Sequence, residues 1–559
     1  MTAIRRSLED EYDFVAIGAG TGGLVGAMTA ADLGLRTLIV EKTELLGGVT
    51  AYSQGQMWVP GSYPEREAGI ADSAEDGLGY LIRLGMGFTD RDLAMAYVAL
   101  APHVLRYLSE RHRVRWRLVD DLADYYYPDF PEARATGRYL EVEPFPGGEL
   151  GALRPLLRVA RHLPYRLSHQ DLSRLGCSAR SHEWDRGIEQ LAIDRDDLCL
   201  GTGLAAYLVR AAAEAGVQLI TEGRVTGIET KEGRVTGLSI DYQGEATQIR
   251  VTRGVLLATG GYDWRPELTA SFEGQLDITS AAPPSVTGDH LSLAIRLGAA
   301  TAHYPKALRL GVSVPGQVDD GHPLHQLLGA MALPHAILVN RHGRRFGDES
   351  FYASIGHALR EIDGRSQQFR NWPCWIVFDE QFRRTYKIGS ISPNTPFPDD
   401  WTIHSAPTIE RLAHLAGIDA VGLREEIEKF NCYSESGKDA DFGRGERPWA
   451  RKAYGDSTRP GNPNLGPIAE GPFYALRPIL IGVGIPSLGL RTDRHGRVLD
   501  DRGAVINGLY AAGNSAALAE VGAGYQSGVA NVRGAVFAFT AAHDAAGQPV
   551  DDKSFRLAD

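Results

Sequence analysis

The sequence predicts an α/β protein. Its Rossmann-like dinucleotide-binding domain is discontinuous along the chain, and an α+β domain is inserted into it. Three stretches carry that expectation. Asp13-Phe14-Val15-Ala16-Ile17 is a short apolar strand that runs into the turn Gly18-Ala19-Gly20-Thr21-Gly22-Gly23. Val255-Leu256-Leu257-Ala258-Thr259-Gly260-Gly261-Tyr262 is a buried strand that closes in small residues. Ile506-Asn507-Gly508-Leu509-Tyr510-Ala511-Ala512-Gly513-Asn514 is a third strand ending in a tight turn. Residues 290 to about 468 show no dinucleotide pattern, only alternating apolar runs such as Ala336-Ile337-Leu338-Val339. The expected divisions are a first nucleotide-binding part, 1–288, an inserted part, 289–468, and a second nucleotide-binding part, 469–559.

Each residue of the first stretch has a physical task. Gly18 allows the tight turn, Gly20 lets backbone approach a pyrophosphate, and Gly23 lets helix and strand pack closely. Leu24 to Leu33 reads as the helix whose free N–H groups face the phosphates, and Arg36 to Val40 as the next strand. Glu41 follows at the distance where an acid hydrogen-bonds a ribose hydroxyl. The same unit resumes after Leu198. Gly201-Thr202-Gly203 opens a helix, Leu204 to Ala215, then come a strand, Val217 to Thr221, and a hairpin turning at Glu232-Gly233.

Composition narrows the function. A 559-residue chain exceeds one ordinary core, and 43% hydrophobic with 23% charged residues is the balance of a soluble globular protein. A net charge of −12 argues against a nucleic-acid partner. Four scattered cysteines, without a CxxC pair or a histidine at ligand spacing, read as free thiols in a reducing cytosol, with no metal site. Met1 to Tyr12 is charged and lacks a signal peptide's apolar core, and no run of about eighteen uncharged apolar residues occurs. The expected location is the cytoplasm. Residues 150–195 are rich in arginine and leucine, and two readings compete there. One is a solvated helical face; the other is a peripheral membrane contact or a homo-oligomer contact.

Lys42-Thr43-Glu44-Leu45-Leu46-Gly47-Gly48-Val49-Thr50-Ala51-Tyr52-Ser53-Gln54-Gly55 is a glycine- and hydroxyl-rich loop. An acid, then Gly-Gly, then Thr-Ala-Tyr-Ser resembles the FAD-binding loop of the fumarate reductase and 3-ketosteroid dehydrogenase superfamily. The resemblance covers roughly 10–145 and 200–545, so residues 150–195 are a family-atypical insert. It implies FAD as the cofactor. Lys42, Gly47, Gly48, Thr50, Ala51, Tyr52, Ser53 and Gly55 then belong to the loop that passes the diphosphate toward the isoalloxazine. Thr21 and Gly22 belong to the glycine turn, and Val225 falls where the superfamily holds adenine with backbone. The resemblance also implies that Ala258, Thr259, Gly260 and Gly261 pass close to the nucleotide, and that Gly513 and Asn514 meet the ribityl and ring. Thr287-Gly288-Asp289 opens a helix expected to reach Ala299, with Thr287 or Asp289 able to cap it. Asp289 also resembles the family's passage into the substrate domain. A helix from Asn531 to Ala542 is expected to aim its dipole at the flavin's N1/O2 edge.

Two motifs choose a branch. Asn340-Arg341-His342-Gly343-Arg344-Arg345-Phe346-Gly347-Asp348-Glu349-Ser350 resembles the superfamily signature. No arginine follows it until Arg360, Ile485-Pro486-Ser487-Leu488 replaces the expected histidine, and Gln526 replaces a second arginine. The dicarboxylate site of the fumarate reductases is thus missing at all three places. Tyr352, four residues before Gly356, instead resembles the catalytic tyrosine of ketosteroid dehydrogenases. Gly522-Ala523-Gly524-Tyr525-Gln526-Ser527-Gly528-Val529 resembles their Tyr-Pro-Gly-Gly-Gly run, where tyrosine and a glycine N–H hold a 3-keto oxygen. Tyr525 matches the tyrosine, and the N–H falls on Val529, or on Gly528 with one gap. Tyr-Gln-Ser is also similar to the Tyr-x-Ser of the Δ4-(5α) enzymes, so regiochemistry stays open. In Asp124-Tyr125-Tyr126-Tyr127-Pro128, the resemblance makes Tyr125, or else Tyr126, a further active-site phenol; for each, a packing corner is the alternative. The expected reaction is desaturation of a cyclic ketone, a 3-ketosteroid or a smaller ring such as 4-oxocyclohexanecarboxylate. The electron acceptor is left unspecified.

Overall fold

The computed structural model describes residues 7–557, so the first six residues of the charged N-terminal stretch lie outside it. Five strands form a parallel sheet in the order Val505–Ala511, Glu245–Leu257, Glu11–Ile17, Thr37–Val40 and Gln218–Ile220. Glu245–Leu257 is long because its first half belongs to an antiparallel meander with Arg234–Tyr242 and Gly223–Lys231. The hairpin turns where expected, with positive φ at both Glu232 (53°) and Gly233 (74°), the geometry that matches strand twist.

Small residues set the packing. Helix Thr21–Asp32 is buried through Ala30, between the sheet and helix Val529–Ala545. A Cβ at Gly26 would lie 2.4 Å from Leu256 Cδ2 and 3.4 Å from Ala538 Cβ. The tightest crossing is at the glycine turn. Gly18 has φ +103°, and a Cβ there would stand 2.4 Å from the Ala258 carbonyl oxygen. A Cβ at Gly23 would stand 1.8 Å from the Gly18 carbonyl oxygen. Gly20 differs: only Thr50 Oγ1, at 3.7 Å, would meet its Cβ.

The other elements differ from the sequence expectation mainly at their ends. Residues 74–118 hold two helices, Ala74–Leu84 and Arg91–His112, and then a short strand, Trp116–Leu118. Ser73 and Asp90 cap the helices. The helix after Leu198 runs Leu200–Glu214, starting early because Gly201 and Gly203 join its first turn. Neither Thr287 nor Asp289 caps the next helix. Left-handed Gly288 is its N-cap without a side-chain bond, and the helix ends at Ala294, followed by a 3₁₀ turn, Ile295–Leu297.

Ala336–Asn340 pairs with Cys374–Phe378, which pairs with Phe473–Leu476 and through it with Ile403–Ala406. A second sheet joins Arg309–Asp319 and His322–Leu327 to Ile479–Gly482 and Thr279–Ser280. Residues 473–482 thus pair with strands of the inserted part, past the boundary expected at 468. Residues 150–195 form kinked 3₁₀ turns and two short helices, His169–Leu175 and Arg186–Asp194, rather than one solvated helical face. Several of their arginines are neutralised: Arg154 and Arg166 by Asp196, Arg180 by Glu183 and Asp456, Arg158 by Asp319. Among the described residues, no helix is long and apolar enough to cross a membrane.

The glycine contacts give a paired test. Gly23→Ala should lower the unfolding free energy by about 3 kcal/mol, because backbone cannot yield as a side chain does. Gly20→Ala, which has room, should cost less than about 1 kcal/mol. Urea denaturation of both variants measures this, and equal losses would contradict the crossing described.

Candidate active site

A cavity of about 910 Å³ opens at the carboxyl ends of the parallel strands, where ligand crevices of open α/β sheets lie. Its nucleotide side is walled by Gly18, Gly20, Thr21, Gly22, Glu41 and Lys42. Glu41 Oε2 accepts the Ala19 N–H at 3.0 Å, and Oε1 accepts the Thr43 N–H at 2.9 Å. The Thr43 hydroxyl also donates to Oε1 at 3.0 Å, so the carboxylate is fixed at the strand end with acceptor capacity left on Oε2. Lys42 Nζ donates to Asp289 Oδ2 at 2.8 Å and to Thr287 Oγ1 at 2.6 Å, so Lys42 and Asp289 form one bridge on the cavity wall.

The loop after Lys42 is a helical turn, Gly48–Ala51, held against the glycine turn. Thr50 Oγ1 accepts the Thr21 N–H at 3.1 Å and lies 2.8 Å from Thr21 Oγ1. Gly48, Thr50, Tyr52, Ser53 and Gly55 line the cavity. Tyr52 donates to Asp319 at 2.8 Å, and burial beside that carboxylate pushes its phenol up to about 12. Val225, Ala258, Thr259, Gly260, Gly513, Asn514 and Gly528 also reach the cavity.

Six expected residues do not. Gly23, Gly47 and Ala51 pack behind the cradle, where Gly47 (φ +113°) begins the helical turn and Ala51 is buried. Gly261 is set aside because its Cβ position faces Pro486 and Asp263. Val529 is fully buried, and its N–H already donates to the Gln526 carbonyl at 3.3 Å. Tyr126 stacks on Phe130, centroids 4.5 Å apart and planes at 6°.

The cradle fits FAD. No side chain caps helix Thr21–Asp32 at Gly20 or helix Val529–Ala545 at Gly528, so two helix N-termini are open at the cavity wall. Asn514 Oδ1 is buried there without a partner among the described residues. Arg533, paired with buried Glu520, donates to the carbonyls of Gly513, Ala516 and Ala517 and fixes this turn.

Three phenols from distant segments share the same cavity. Tyr352 begins helix Tyr352–Ala358. Just before it, the sequence signature folds into a buried ion network: Arg345 binds Glu349 twice at 2.7 Å and Asp439 at 2.8 Å. The Tyr125 ring lies 5.4 Å from that of Tyr352 and 4.4 Å from Trp449. Gln526 Oε1 accepts the Tyr125 N–H at 3.3 Å and the Tyr80 hydroxyl at 2.5 Å, so it clamps the tyrosine loop. Buried Lys306 holds the Tyr525 loop by donating to the carbonyls of Gly522 and Gly524, and burial pulls its ammonium down to about 7. The Gly528 N–H donates to no acceptor among the described residues. Burial pushes the phenols of Tyr125, Tyr352 and Tyr525 upward, while Arg309 pulls all three back.

Arg309 escaped the sequence reading. Its guanidinium carbon sits 3.3 Å above the Tyr352 ring centroid and 6.0 Å from that of Tyr525. The one available signal is a charge between two buried leucines, Leu308 and Leu310. The 150–195 segment also contributes, since Arg161, His162, Leu163 and Leu167 wall the cavity.

A model of the FAD-binding domain family matches residues 13–531. The 3-oxosteroid 1-dehydrogenase of Mycolicibacterium smegmatis is 32% identical, covering 90% of this chain and 92% of its own. A crystal structure of the 3-ketosteroid Δ1-dehydrogenase from Sterolibacterium denitrificans, in complex with 1,4-androstadiene-3,17-dione, superposes with a TM-score of 0.85. It is 30% identical and covers 96% of this chain and all of its own. This chain belongs to the 3-ketosteroid dehydrogenase branch of the FAD-binding flavoproteins. A further relative of this branch flavoprotein is the 4-oxocyclohexanecarboxylate 2-dehydrogenase of Sinomonas cyclohexanicum, 34% identical over 90% of this chain and 87% of its own. The protein is an FAD-dependent oxidoreductase.

Glu41→Ala should weaken FAD binding about tenfold, the scale of one charge-assisted hydrogen bond. Calorimetric titration of the stripped flavoprotein with FAD measures it, and an unchanged affinity would rule out the ribose contact.

Proposed function

We propose that this flavoprotein dehydrogenates a ring ketone to its α,β-unsaturated ketone. The observation that carries the reading is the convergence of Tyr125, Tyr352 and Tyr525 on one cavity with the FAD cradle. Bound FAD supplies the acceptor for a hydride from the β carbon. The chain's own residues govern the proton and the charge. The phenolate oxygen of Tyr352 takes the α proton, and the electron pair of that C–H bond becomes the new double bond as the β hydride leaves. Tyr525 O–H and Gly528 N–H hold the ketone oxygen and stabilise the developing enolate, at about 3 kcal/mol each in a dry site. Tyr125, whose ring meets that of Tyr352 edge-on, supports it in this role. Lys42, Glu41, Thr50 and Asn514 would hold the nucleotide. A separate electron acceptor completes the turnover.

For the substrate, the first reading is a 3-ketosteroid, supported by the family branch and the tyrosine set. A second reading, a monocyclic keto acid, is favoured by the cavity lining. Exposed Arg161 lines the cavity with no counter-ion among the described residues, and Lys387 lines it too. Tyr352→Phe and Tyr525→Phe should keep the yellow FAD-loaded protein. Each should slow flavin reduction by a ring ketone by about 100-fold or more, followed anaerobically by stopped flow. Wild-type rates in both would remove the acid–base scheme. Running a 3-ketosteroid beside 4-oxocyclohexanecarboxylate separates the two substrate readings.

A further inference from the structure

A phenol buried among aromatic rings is a poor base, since its ordinary pKa is near 10 and burial raises it. Tyr352 is in that position, packed against Tyr125, Phe351 and Trp449. The groups that face it from the surrounding elements are phenols and cations. Tyr125, Tyr126 and Tyr525 come from two other segments, and Arg309 from the strand Arg309–Asp319. His357, five residues along its own helix, is held less basic than usual by burial first and by Arg309 after it. Glu349, a carboxylate on the cavity wall, is consumed by Arg345.

Most deep arginines of this chain have a carboxylate partner, and buried Arg383, which has none among the described residues, donates instead to the carbonyls of Ser392 and Thr395. Arg138 is paired with Asp72 and Asp124, Arg345 with Glu349 and Asp439, and Arg533 with Glu520. Arg309 forms no ion pair among the described residues, and its hydrogen bond is to the Ala307 carbonyl at 3.3 Å. Partly withdrawing a guanidinium from water without a counter-ion is costly. The cost is offset when an anion forms beside it, and the guanidinium carbon sits over the ring where such an anion would appear.

We propose that Arg309 is the positioning residue of the proton-abstraction step: stacked on Tyr352, it stabilises the phenolate that takes the substrate's α proton. This rests on the ring-ketone reading above and adds the source of the base's acidity. The same charge reaches toward Tyr525, so it also favours enolate character on the oxygen that Tyr525 holds. Charge moves from phenolate to enolate while the cation stays fixed, so the proton transfer requires little reorganisation.

The test places a ring-fluorinated tyrosine, whose phenol is more acidic, at position 352 of the full FAD-loaded chain. Its ionisation is read by fluorine NMR without substrate. With Arg309→Gln the midpoint should rise by about one pH unit or more, and with Arg309→Lys it should stay nearer the parent. In the unlabelled enzyme, Arg309→Gln should lower the limiting rate of anaerobic flavin reduction by about tenfold per unit of that shift, with KM little changed. An unmoved fluorotyrosine midpoint would overturn the proposal. So would a variant whose only defect is a raised KM for a keto acid, because Arg309 would then be a carboxylate anchor. If no ring ketone bleaches the parent enzyme, the ring-ketone reading fails, while the NMR midpoint still decides the role of Arg309. Should Arg309→Gln lose FAD, Arg309→Met against Arg309→Lys carries the comparison, with the midpoint expected to rise only in the Met variant.

Discussion

The architecture depends on a place where no side chain fits. Gly18, Gly23 and Ala258 bring a turn, a helix and a second strand together so closely that one methyl group at either glycine would overlap a carbonyl oxygen. Because that crossing is closed, helix Thr21–Asp32 lies on the sheet with its first turn at the carboxyl edge. That turn lines one cavity together with Glu41, Thr50 and Gly513, and its Thr21 N–H is already held by Thr50. Gly20 is left open at the same point, so backbone alone forms the surface that a diphosphate meets.

The reactive half of the cavity is assembled by supports of a different kind. Each phenol is held by a buried polar device rather than by its own hydrogen bonds: Gln526 for the Tyr125 loop, Lys306 for the Tyr525 loop, the Arg345–Glu349–Asp439 network for the start of the Tyr352 helix. In a low-dielectric site such satisfied networks fix geometry, and an unpaired charge is felt strongly. That contrast gives Arg309 its weight. It is a cation among phenols with no ion pair among the described residues, and Glu349 on the cavity wall is already bound by Arg345.

The nucleotide half was largely legible in the sequence because its logic is local. A glycine turn, an acid at the strand end and a two-residue hairpin each constrain backbone within a few residues, and each stands where it was read. The parts that were not legible depend on direction or on distant partners. Tyr125 and Tyr126 are adjacent, and only tertiary packing turns one to the cavity and the other onto Phe130. Gly528 and Val529 were equal candidates until the helix start placed the Val529 N–H on Gln526. Gly261 follows three residues of which all face the cavity, yet it turns to Pro486. The arginines at 150–195 carry no periodicity that announces partners such as Asp319 and Asp456, which lie more than a hundred residues away.

The central claim is that ring ketones deliver a hydride to the flavin while this tyrosine set manages the proton. The most direct measurement mixes the FAD-loaded wild-type protein with a ring ketone in the absence of oxygen and follows flavin colour and enone absorbance together. The account predicts loss of the flavin's visible band with one enone formed per flavin reduced. Unchanged yellow protein with both a 3-ketosteroid and a monocyclic keto acid would contradict it.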